Sequence, residues 1–169
     1  SIYSLANRQS EKTTEAVLKL SELLRYMIYE TEKEFVPVQQ EFAGLLSYIE
    51  LQKLRLAKKT KLLVNIKMPD ETFTIAPLLL LPVLENAFKY GSDNISESSI
   101  TINANLEADT LSFSCYNTII EGLRNQNETS GIGLRNVRRR LELIYPGKFN
   151  FTITEENNTF TVHLTLRLG

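Results

Sequence analysis

The chain has 169 residues, of which 43% are hydrophobic and 23% are charged; this fits one compact domain with a helical appendage and excludes a disordered or fibrous chain. The formal net charge is −1, so no global field attracts nucleic acid or an anionic membrane surface, and any phosphate binding must be local. The single cysteine, Cys115, excludes an internal disulfide and suits a reducing compartment, and the single histidine, His163, argues against a histidine-based metal site.

Two helices are predicted to open the chain. Over residues 14–29 apolar side chains recur at three- and four-residue steps and form one stripe, which needs a partner surface. The stripe consists of Val17, Leu20, Leu24, Met27 and Ile28. Pro37 suits the first position of a second helix that runs to about residue 58. Its predicted inner face consists of Phe42, Leu45, Leu46, Ile49 and Leu56. The chain begins without methionine and enters this helical pattern early, which favours a fragment of a longer protein.

Strands and two more helices follow. Residues 61–68 alternate weakly in polarity, as in a strand, and residues 100–106 and 111–115 form a predicted hairpin. A third helix is predicted over about residues 77–90, stopped by Gly91, and Pro82 inside it predicts a kink or a later start. A polar loop at residues 118–130, a fourth helix at 133–145 and a closing hairpin formed by 149–154 and 160–166 complete the chain. The longest strongly apolar run, residues 75–84, is about half of a bilayer-spanning helix and contains two prolines.

The first candidate site lies at the end of the third helix, in residues 85–91. Asn86, Lys89 and Tyr90 are spaced i, i+3 and i+4, so an amide oxygen, an ammonium and a phenol can share one helix face. An amide oxygen suits Mg²⁺, and an ammonium suits a phosphate oxygen. Taken alone, the same pattern also fits an ordinary polar stripe that faces water.

The second candidate site is the loop that enters the fourth helix. Gly131 and Gly133 let backbone N–H groups approach an anion closely, and the helix N-terminus adds the positive end of its dipole. A plain loop with two turn glycines is the alternative interpretation. The chain lacks the Gly-x-x-x-x-Gly-Lys-Ser/Thr pattern, which argues against a phosphate-binding-loop (P-loop) fold. No third glycine follows at the dinucleotide-binding spacing, which argues against a Rossmann fold.

Both segments together resemble the LytS/YehU-type sensor histidine kinases. Glu85-Asn86-Ala87-x-Lys89-Tyr90-Gly91 resembles their N box. Their second glycine box is similar to a later segment of this chain, Gly131-Ile132-Gly133-Leu134-x-Asn136-Val137-x-x-Arg140-Leu141. Further upstream, residues 23–26, Glu41 and residues 48–55 resemble the stretch that these kinases carry between the phosphoacceptor helix and the ATP-binding domain. The resemblance covers essentially the whole chain.

This resemblance implies an α+β fold of the Bergerat (GHKL, HATPase) type, a two-layer sandwich of a mixed, mostly antiparallel sheet with helices on one face. Residues 1–34 would belong to the dimerisation and phosphoacceptor region, and residues 35–169 would form the ATP-binding catalytic domain. The implied ligands are ATP and Mg²⁺. Residues 118–130 would form a mobile lid over the nucleotide.

The resemblance also implies roles for single residues. Asn86 would coordinate Mg²⁺, Lys89 would meet a phosphate, and Tyr90 would contact the nucleotide. The phosphate-binding end would consist of Gly131, Ile132, Gly133, Leu134 and Arg135. Asn117 stands where many members of the wider superfamily have the aspartate that accepts the adenine amino group, and Ile119 and Ile120 replace the glycines that usually follow. Glu85 is a candidate general base, or it only orients its neighbours.

The implied reaction is transfer of the ATP γ-phosphoryl group to a histidine upstream of this chain, for relay to a response regulator of the LytTR type. No Asn-Pro-His-Phe-Leu-Phe-Asn motif is present, so this chain alone should not autophosphorylate. A homodimer, no nucleic acid, no direct membrane contact and a cytoplasmic position in a membrane-anchored kinase are also implied. The alternatives are a nucleotide-binding regulatory module and a dimerisation module without kinase activity.

Three other features are expected to be structural. Cys115 should be a small core residue. His163 should lie on the exposed face of a late strand, because it alternates with Val162 and Leu164. The arginines beside the second glycine box are expected to form a solvated or partner-facing surface, with one of them in reach of the triphosphate. They are Arg135, Arg138, Arg139 and Arg140.

Overall fold

The computed structural model describes residues 11–30, 32–68, 73–93, 95–121 and 131–169. The greater part of the predicted lid, residues 122–130, therefore lies outside the described residues. Helix α1, Glu11–Arg25, opens the described chain and continues into a π-helical turn, Tyr26–Glu30. Helix α2 follows at Val38–Lys53.

Helix α1 packs against α2 through a narrow face. Ala16 and Leu23 are buried, whereas Val17 and Leu24 of the predicted stripe are 46% exposed and Ile28 is 60% exposed. The predicted helix is confirmed, and its apolar stripe faces away from the rest of the described chain. The stripe remains a surface that another helix could cover.

Helix α2 is confirmed, but it begins one residue after its predicted start and ends about five residues before its predicted end. Pro37 precedes the first helical residue and carries extended backbone angles, φ −54° and ψ 138°. The helix stops at Lys53 and not at residue 58, because the chain turns there to enter the sheet, with Arg55 N–H donating to the Gln52 carbonyl at 3.0 Å. Its predicted inner residues Phe42 and Ile49 are fully buried.

A five-stranded sheet forms the second layer. Its strands are β2 at Thr60–Ile66, β4 at Ser98–Glu107, β5 at Thr110–Thr118, β6 at Phe149–Glu156 and β7 at Thr159–Arg167. Their order is β2-β4-β5-β7-β6, with β2 parallel to β4 and every other pair antiparallel. The two-residue strands β1, Val36–Pro37, and β3, Thr74–Ile75, pair separately. The predicted mixed, mostly antiparallel sheet is confirmed.

Alternation along the strands buries one face of the sheet. On β4 and β5 the buried residues include Ile102, Phe113 and Cys115, and the core cluster joins them to apolar side chains of the helices. Cys115 is the core residue that the sequence predicts, and burial raises the pKa of its thiol. His163 lies on the opposite face, 3.2 Å from Thr165 Oγ1, as predicted.

Two helices complete the helical layer. Helix α3, Leu81–Tyr90, starts four residues later than the first predicted bound, and Pro82 then falls in the first turn, where the missing N–H costs no helical hydrogen bond. Helix α4, Ile132–Ile144, buries Leu134, Val137 and Leu141. Among the described helices, none has both the length and the apolar character required to cross a bilayer.

Candidate functional site

Asn86 and Tyr90 of α3 line a small pocket at the ends of β5 and β7. The other lining residues are Asn117, Ile119, Ile120 and Phe160. The free volume is about 10 Å³, so a purine would enter only after Ile119 and Ile120 move aside. These two isoleucines lead directly into residues 122–130, where the predicted lid continues. The tertiary structure thus brings together three predicted site residues from two elements.

The close approach of α3 and β5 at this pocket depends on Gly91. A Cβ atom on Gly91 would lie 2.6 Å from the carbonyl oxygen of Ala87 and 2.6 Å from Asn117 Cβ. No side chain larger than hydrogen fits there without displacing backbone. The sequence marks Gly91 as a helix terminator only; its φ of −98° shows that the requirement is for space and not for a left-handed conformation.

Asn117 is 2% exposed and has a defined orientation. Its amide nitrogen Nδ2 donates a hydrogen bond to the Thr118 carbonyl at 3.0 Å. This bond engages one of the two amide N–H groups and orients the side chain, and the side-chain oxygen Oδ1 is its acceptor for a ligand. An aspartate at this position would offer the same acceptor.

Glu85 and Lys89 lie on a different side of α3 from Asn86 and Tyr90. They line a groove of about 370 Å³ that α2 closes on its other side. The remaining lining residues are Tyr48, Gln52, Arg55, Leu56, Phe88 and Ser92. The prediction that Asn86, Lys89 and Tyr90 share one open face is therefore wrong: Lys89 lines the groove, whereas Asn86 and Tyr90 line the small pocket. Consecutive helical residues point about 100° apart, so Lys89 and Tyr90 can line different cavities. Partial burial raises the pKa of Glu85.

The second glycine box lies beside the start of α3. Gly131 caps α4 with φ +93°, a left-handed conformation that favours glycine, and its carbonyl accepts from Arg135 N–H at 3.0 Å. A Cβ on Gly133 would meet Pro82 Cβ at 3.7 Å, an ordinary contact. Ile132 and Arg135 are exposed, whereas Leu134 is buried in the core and offers only its backbone. These residues do not line the Asn86 pocket in this conformation.

Three of the four arginines beside this box are exposed, as predicted, and two of the four also have partners within the fold. Arg140 donates from Nη1 to the Leu78 carbonyl at 3.1 Å and from Nη2 to the Pro77 carbonyl at 2.8 Å. Arg138 donates to the Phe151 carbonyl at 2.9 Å, and its guanidinium lies 5.1 Å from the Phe151 ring centroid. Arg135 and Arg139 are exposed, as predicted. Periodicity cannot reveal such partners, since they lie far away in sequence.

A buried carboxylate holds the segment that precedes α3. Glu41 on α2 is 1% exposed, and its two oxygens accept from Leu78 N–H at 2.8 Å and from Leu80 N–H at 3.0 Å. The Tyr26 hydroxyl, in the π-helical turn after α1, donates to the same carboxylate. Leu78 itself has φ +53°, an uncommon conformation for a residue with a side chain. We call Tyr26, Glu41 and the 76–80 segment the Glu41 latch.

Helix α4 secures the other side of the Glu41 latch. Tyr145, at the end of α4, accepts a hydrogen bond from Ala76 N–H through its hydroxyl at 2.8 Å. With the two bonds from Arg140, the 76–80 segment is tied to α2 and to α4. The position of α3, and with it Asn86, therefore depends on long-range side-chain contacts.

The Glu41 latch predicts a pH dependence of stability. Burial is the largest effect on the Glu41 carboxyl and raises its pKa from 4.5, against the lowering effect of its hydrogen bonds. The folded state therefore holds this proton more tightly than the unfolded state, so the contribution of Glu41 is most favourable below 4.5 and declines as pH rises toward the folded pKa. Urea unfolding across this range should show the excess stability of wild type over Glu41→Gln falling with rising pH. A rising difference would contradict the assignment.

Known proteins resemble this chain in sequence and in fold. A sequence model of the family described as histidine kinase matches residues 1–60. The sensor histidine kinase BtsS of Escherichia coli (strain K12) is 27% identical over 171 residues, covering 99% of this chain and 29% of BtsS. The sensor protein LytS of Oceanobacillus iheyensis is 25% identical over 154 residues, covering 83% of this chain and 26% of LytS.

The chain is similar to sensor histidine kinases, among them BtsS and LytS. Its fold also matches the histidine kinase domain of a blue-light activated histidine kinase from Erythrobacter litoralis EL346, with a TM-score of 0.57 at 15% identity over 98% of this chain and 80% of that chain. The fold class predicted from the sequence is thereby confirmed. The chain spans less than a third of the length of the two curated relatives.

Proposed function

We propose that this chain is the ATP-binding catalytic part of a two-component sensor histidine kinase. In this proposal residues 35–169 form the nucleotide-binding catalytic domain, and residues 1–34 belong to the dimerisation and phosphoacceptor region. The observation that carries the proposal is the convergence of Asn86, Tyr90 and Asn117 on one pocket in a fold shared with histidine kinase domains.

The donor set of the pocket fits an adenine nucleotide. Asn117 Oδ1 can accept a hydrogen bond from the adenine amino group, because its amide nitrogen is already bonded to Thr118. Tyr90 and Phe160 supply aromatic walls for a purine ring. The glycine box at the start of α4 supplies exposed backbone beside a helix N-terminus, which suits phosphates.

Magnesium would be held largely by the nucleotide. Among the described residues no group of three histidine, cysteine, aspartate or glutamate side chains could hold a metal ion. The Asn86 amide oxygen fits Mg²⁺ as a single hard ligand, with phosphate oxygens and water completing the coordination. The metal supplies charge neutralisation of the phosphates when bound. Asn86 and Lys89 are the residues of this chain that we assign to the phosphate end.

The proposed reaction transfers the γ-phosphoryl group to a histidine upstream of this chain. The bond from γ-phosphorus to the β–γ bridging oxygen breaks and its electron pair leaves with ADP, while a phosphorus–nitrogen bond forms to the imidazole. The imidazole N–H proton must then be accepted. Glu85 is the candidate for this role, since burial raises its pKa toward the operating pH. A response regulator of the LytTR type would receive the phosphoryl group next.

A homodimer is the proposed assembly of the full-length kinase. The exposed stripe on α1 and the following turn supports it, since Val17, Leu24 and Ile28 have no cover within the described chain. Burial of such a stripe between two helices is the usual source of stability in a helical bundle.

A second candidate function is a regulatory nucleotide-binding module without kinase activity. It is favoured by Ile119 and Ile120, which line the pocket at positions where glycines would let the loop open more easily. Addition of the acceptor-histidine segment to this chain with Mg-ATP separates the two candidates. Radiolabel on the histidine would support the kinase, and binding without transfer would support the regulatory module.

The test of nucleotide binding is calorimetric titration with a non-hydrolysable ATP analogue and Mg²⁺. Asn86→Ala is expected to weaken binding about tenfold or more, since it removes a ligand to the metal and phosphates. Asn65→Ala is the matched control, because Asn65 is exposed on the outer sheet face and its side chain donates to Asn103 Oδ1 at 2.9 Å. No detectable binding to wild type, or equal affinity of both variants, would reject the assignment.

A further inference from the structure

The groove between α2 and α3 is a second polar cavity next to the proposed nucleotide pocket. Its volume is about 370 Å³, and it is lined by two cationic side chains, Arg55 from the turn after α2 and Lys89 from α3, and by the carboxyl group of Glu85. Resemblance to the N box assigns a role to Lys89 but none to Arg55. The N box therefore does not explain why a second cationic side chain lines this groove.

The two cations of the groove are unpaired. Within the described residues neither Arg55 nor Lys89 forms an ion pair, although Glu85 lies four residues before Lys89. Lys53, two residues before Arg55, shows the contrast, since it bonds Glu50 at 2.6 Å. Two unpaired cations that face one polar cavity are suited to an anionic ligand.

The wall of the groove opposite α3 is held in place. The Tyr48 ring packs edge-on against Phe88, with ring centroids 5.9 Å apart and an interplanar angle of 74°. Gln52 hydrogen-bonds Tyr48, whose pKa is raised to about 12, mainly by burial and then by the Glu85 charge. The Tyr48 hydroxyl consequently remains protonated at physiological pH. Tyr48, Gln52 and Phe88 thus form a packed wall of the groove.

The groove and the Asn86 pocket meet at two consecutive residues of α3. Lys89 lines the groove and Tyr90 lines the pocket, and the Lys89 ammonium lies 4.9 Å from the Tyr90 ring centroid. A nucleotide with its base against Tyr90 would thus have its phosphate chain beside Lys89. The end of that chain would extend toward Arg55.

We propose that this groove is a subsite for the terminal phosphoryl group of the nucleotide and that Arg55 binds it. The guanidinium suits this role because its planar fork matches two phosphate oxygens at once, which an ammonium cannot do. Glu85 on the same groove repels the dianionic group and limits its affinity. This inference rests on the proposed function and adds a binding residue from the turn that follows α2.

Comparison of ADP with a non-hydrolysable ATP analogue tests the subsite, with Mg²⁺ present and calorimetry as the readout on the whole chain. Arg55→Ala should weaken binding of the ATP analogue about tenfold and change the affinity for ADP less than about twofold, because only the analogue has the terminal phosphoryl group. Glu85→Gln should strengthen binding of the ATP analogue, the opposite of the effect expected for Arg55→Ala, because it removes a negative charge from the groove. Arg55→Lys should recover part of the affinity, since it keeps the charge and loses the fork.

Lys61→Ala is the matched control, because it removes one positive charge from the exposed outer face of the sheet. It should leave the ratio of analogue to ADP affinity unchanged. Equal losses of ADP and analogue in Arg55→Ala, or no loss of either, would overturn the subsite while leaving the proposed function intact. Wild type that binds neither ligand would reject the proposed function, and the subsite with it.

Discussion

Glu41→Ala is expected to lower the free energy of unfolding by about 3 kcal/mol or more. The substitution leaves the N–H groups of Leu78 and Leu80 without their acceptor and the Tyr26 hydroxyl without its partner. Each buried donor left unsatisfied costs about 1–3 kcal/mol. The midpoint of urea denaturation measures this loss, with the slope of the transition checked for constancy.

Glu50→Ala is the matched control for the Glu41 latch. Glu50 lies on the same helix, is only partly buried, and bonds Lys53 at 2.6 Å in a surface pair three residues apart. Loss of such a pair costs less than about 1 kcal/mol. Similar midpoints for the Glu41 and Glu50 variants would show that the buried carboxylate does not hold the 76–80 segment.

Gly91→Ala should affect both stability and the candidate site. The new Cβ would lie 2.6 Å from Asn117 Cβ and 2.6 Å from the Ala87 carbonyl oxygen, so α3 and β5 must separate. Such overpacking typically costs about 1–3 kcal/mol. Displacement of Asn117 from Tyr90 should also weaken binding of the ATP analogue about tenfold or more. Thermal unfolding and calorimetry on the same preparation measure the two effects.

Gly133→Ala is the control for the stability effect of Gly91→Ala. Gly133 lies in the first turn of α4, and its added Cβ would make only an ordinary 3.7 Å contact with Pro82. Alanine in a helix is favoured over glycine by about 1 kcal/mol, so stability should stay equal or rise. If both glycine variants unfold at the wild-type temperature, the close approach at Gly91 is not required.

The sequence predicted the described helices and the main strands with small errors at their ends. Amphipathic periods reflect hydrogen bonds and burial within one element, so Leu134, Val137 and Leu141 sufficed to predict the inner face of α4. The predicted closing hairpin is confirmed for the same reason, with Asn157 and Asn158 in positive-φ turn positions. The spacing of the third helix indicated Asn86, and the family resemblance indicated Asn117; the roles of both residues remain predictions.

Long-range contacts were beyond the reach of those patterns. The partners of Glu41 lie at residues 26, 78 and 80, and those of Arg140 lie at residues 77 and 78, so no local period connects them. Asn86 and Lys89 line different cavities, and this too depends on which elements pack against each side of α3.

Local rules thus identified the elements, because side-chain spacing along one helix or strand encodes them. Resemblance to a kinase family identified the N box and the glycine box. Tertiary packing alone decided that Arg55 and Lys89 line one groove, that Gly91 must carry no side chain and that a carboxylate on α2 anchors the segment before α3. These contacts join residues about 26 to 39 positions apart, and their geometry exists only once the sheet and the helices have packed together.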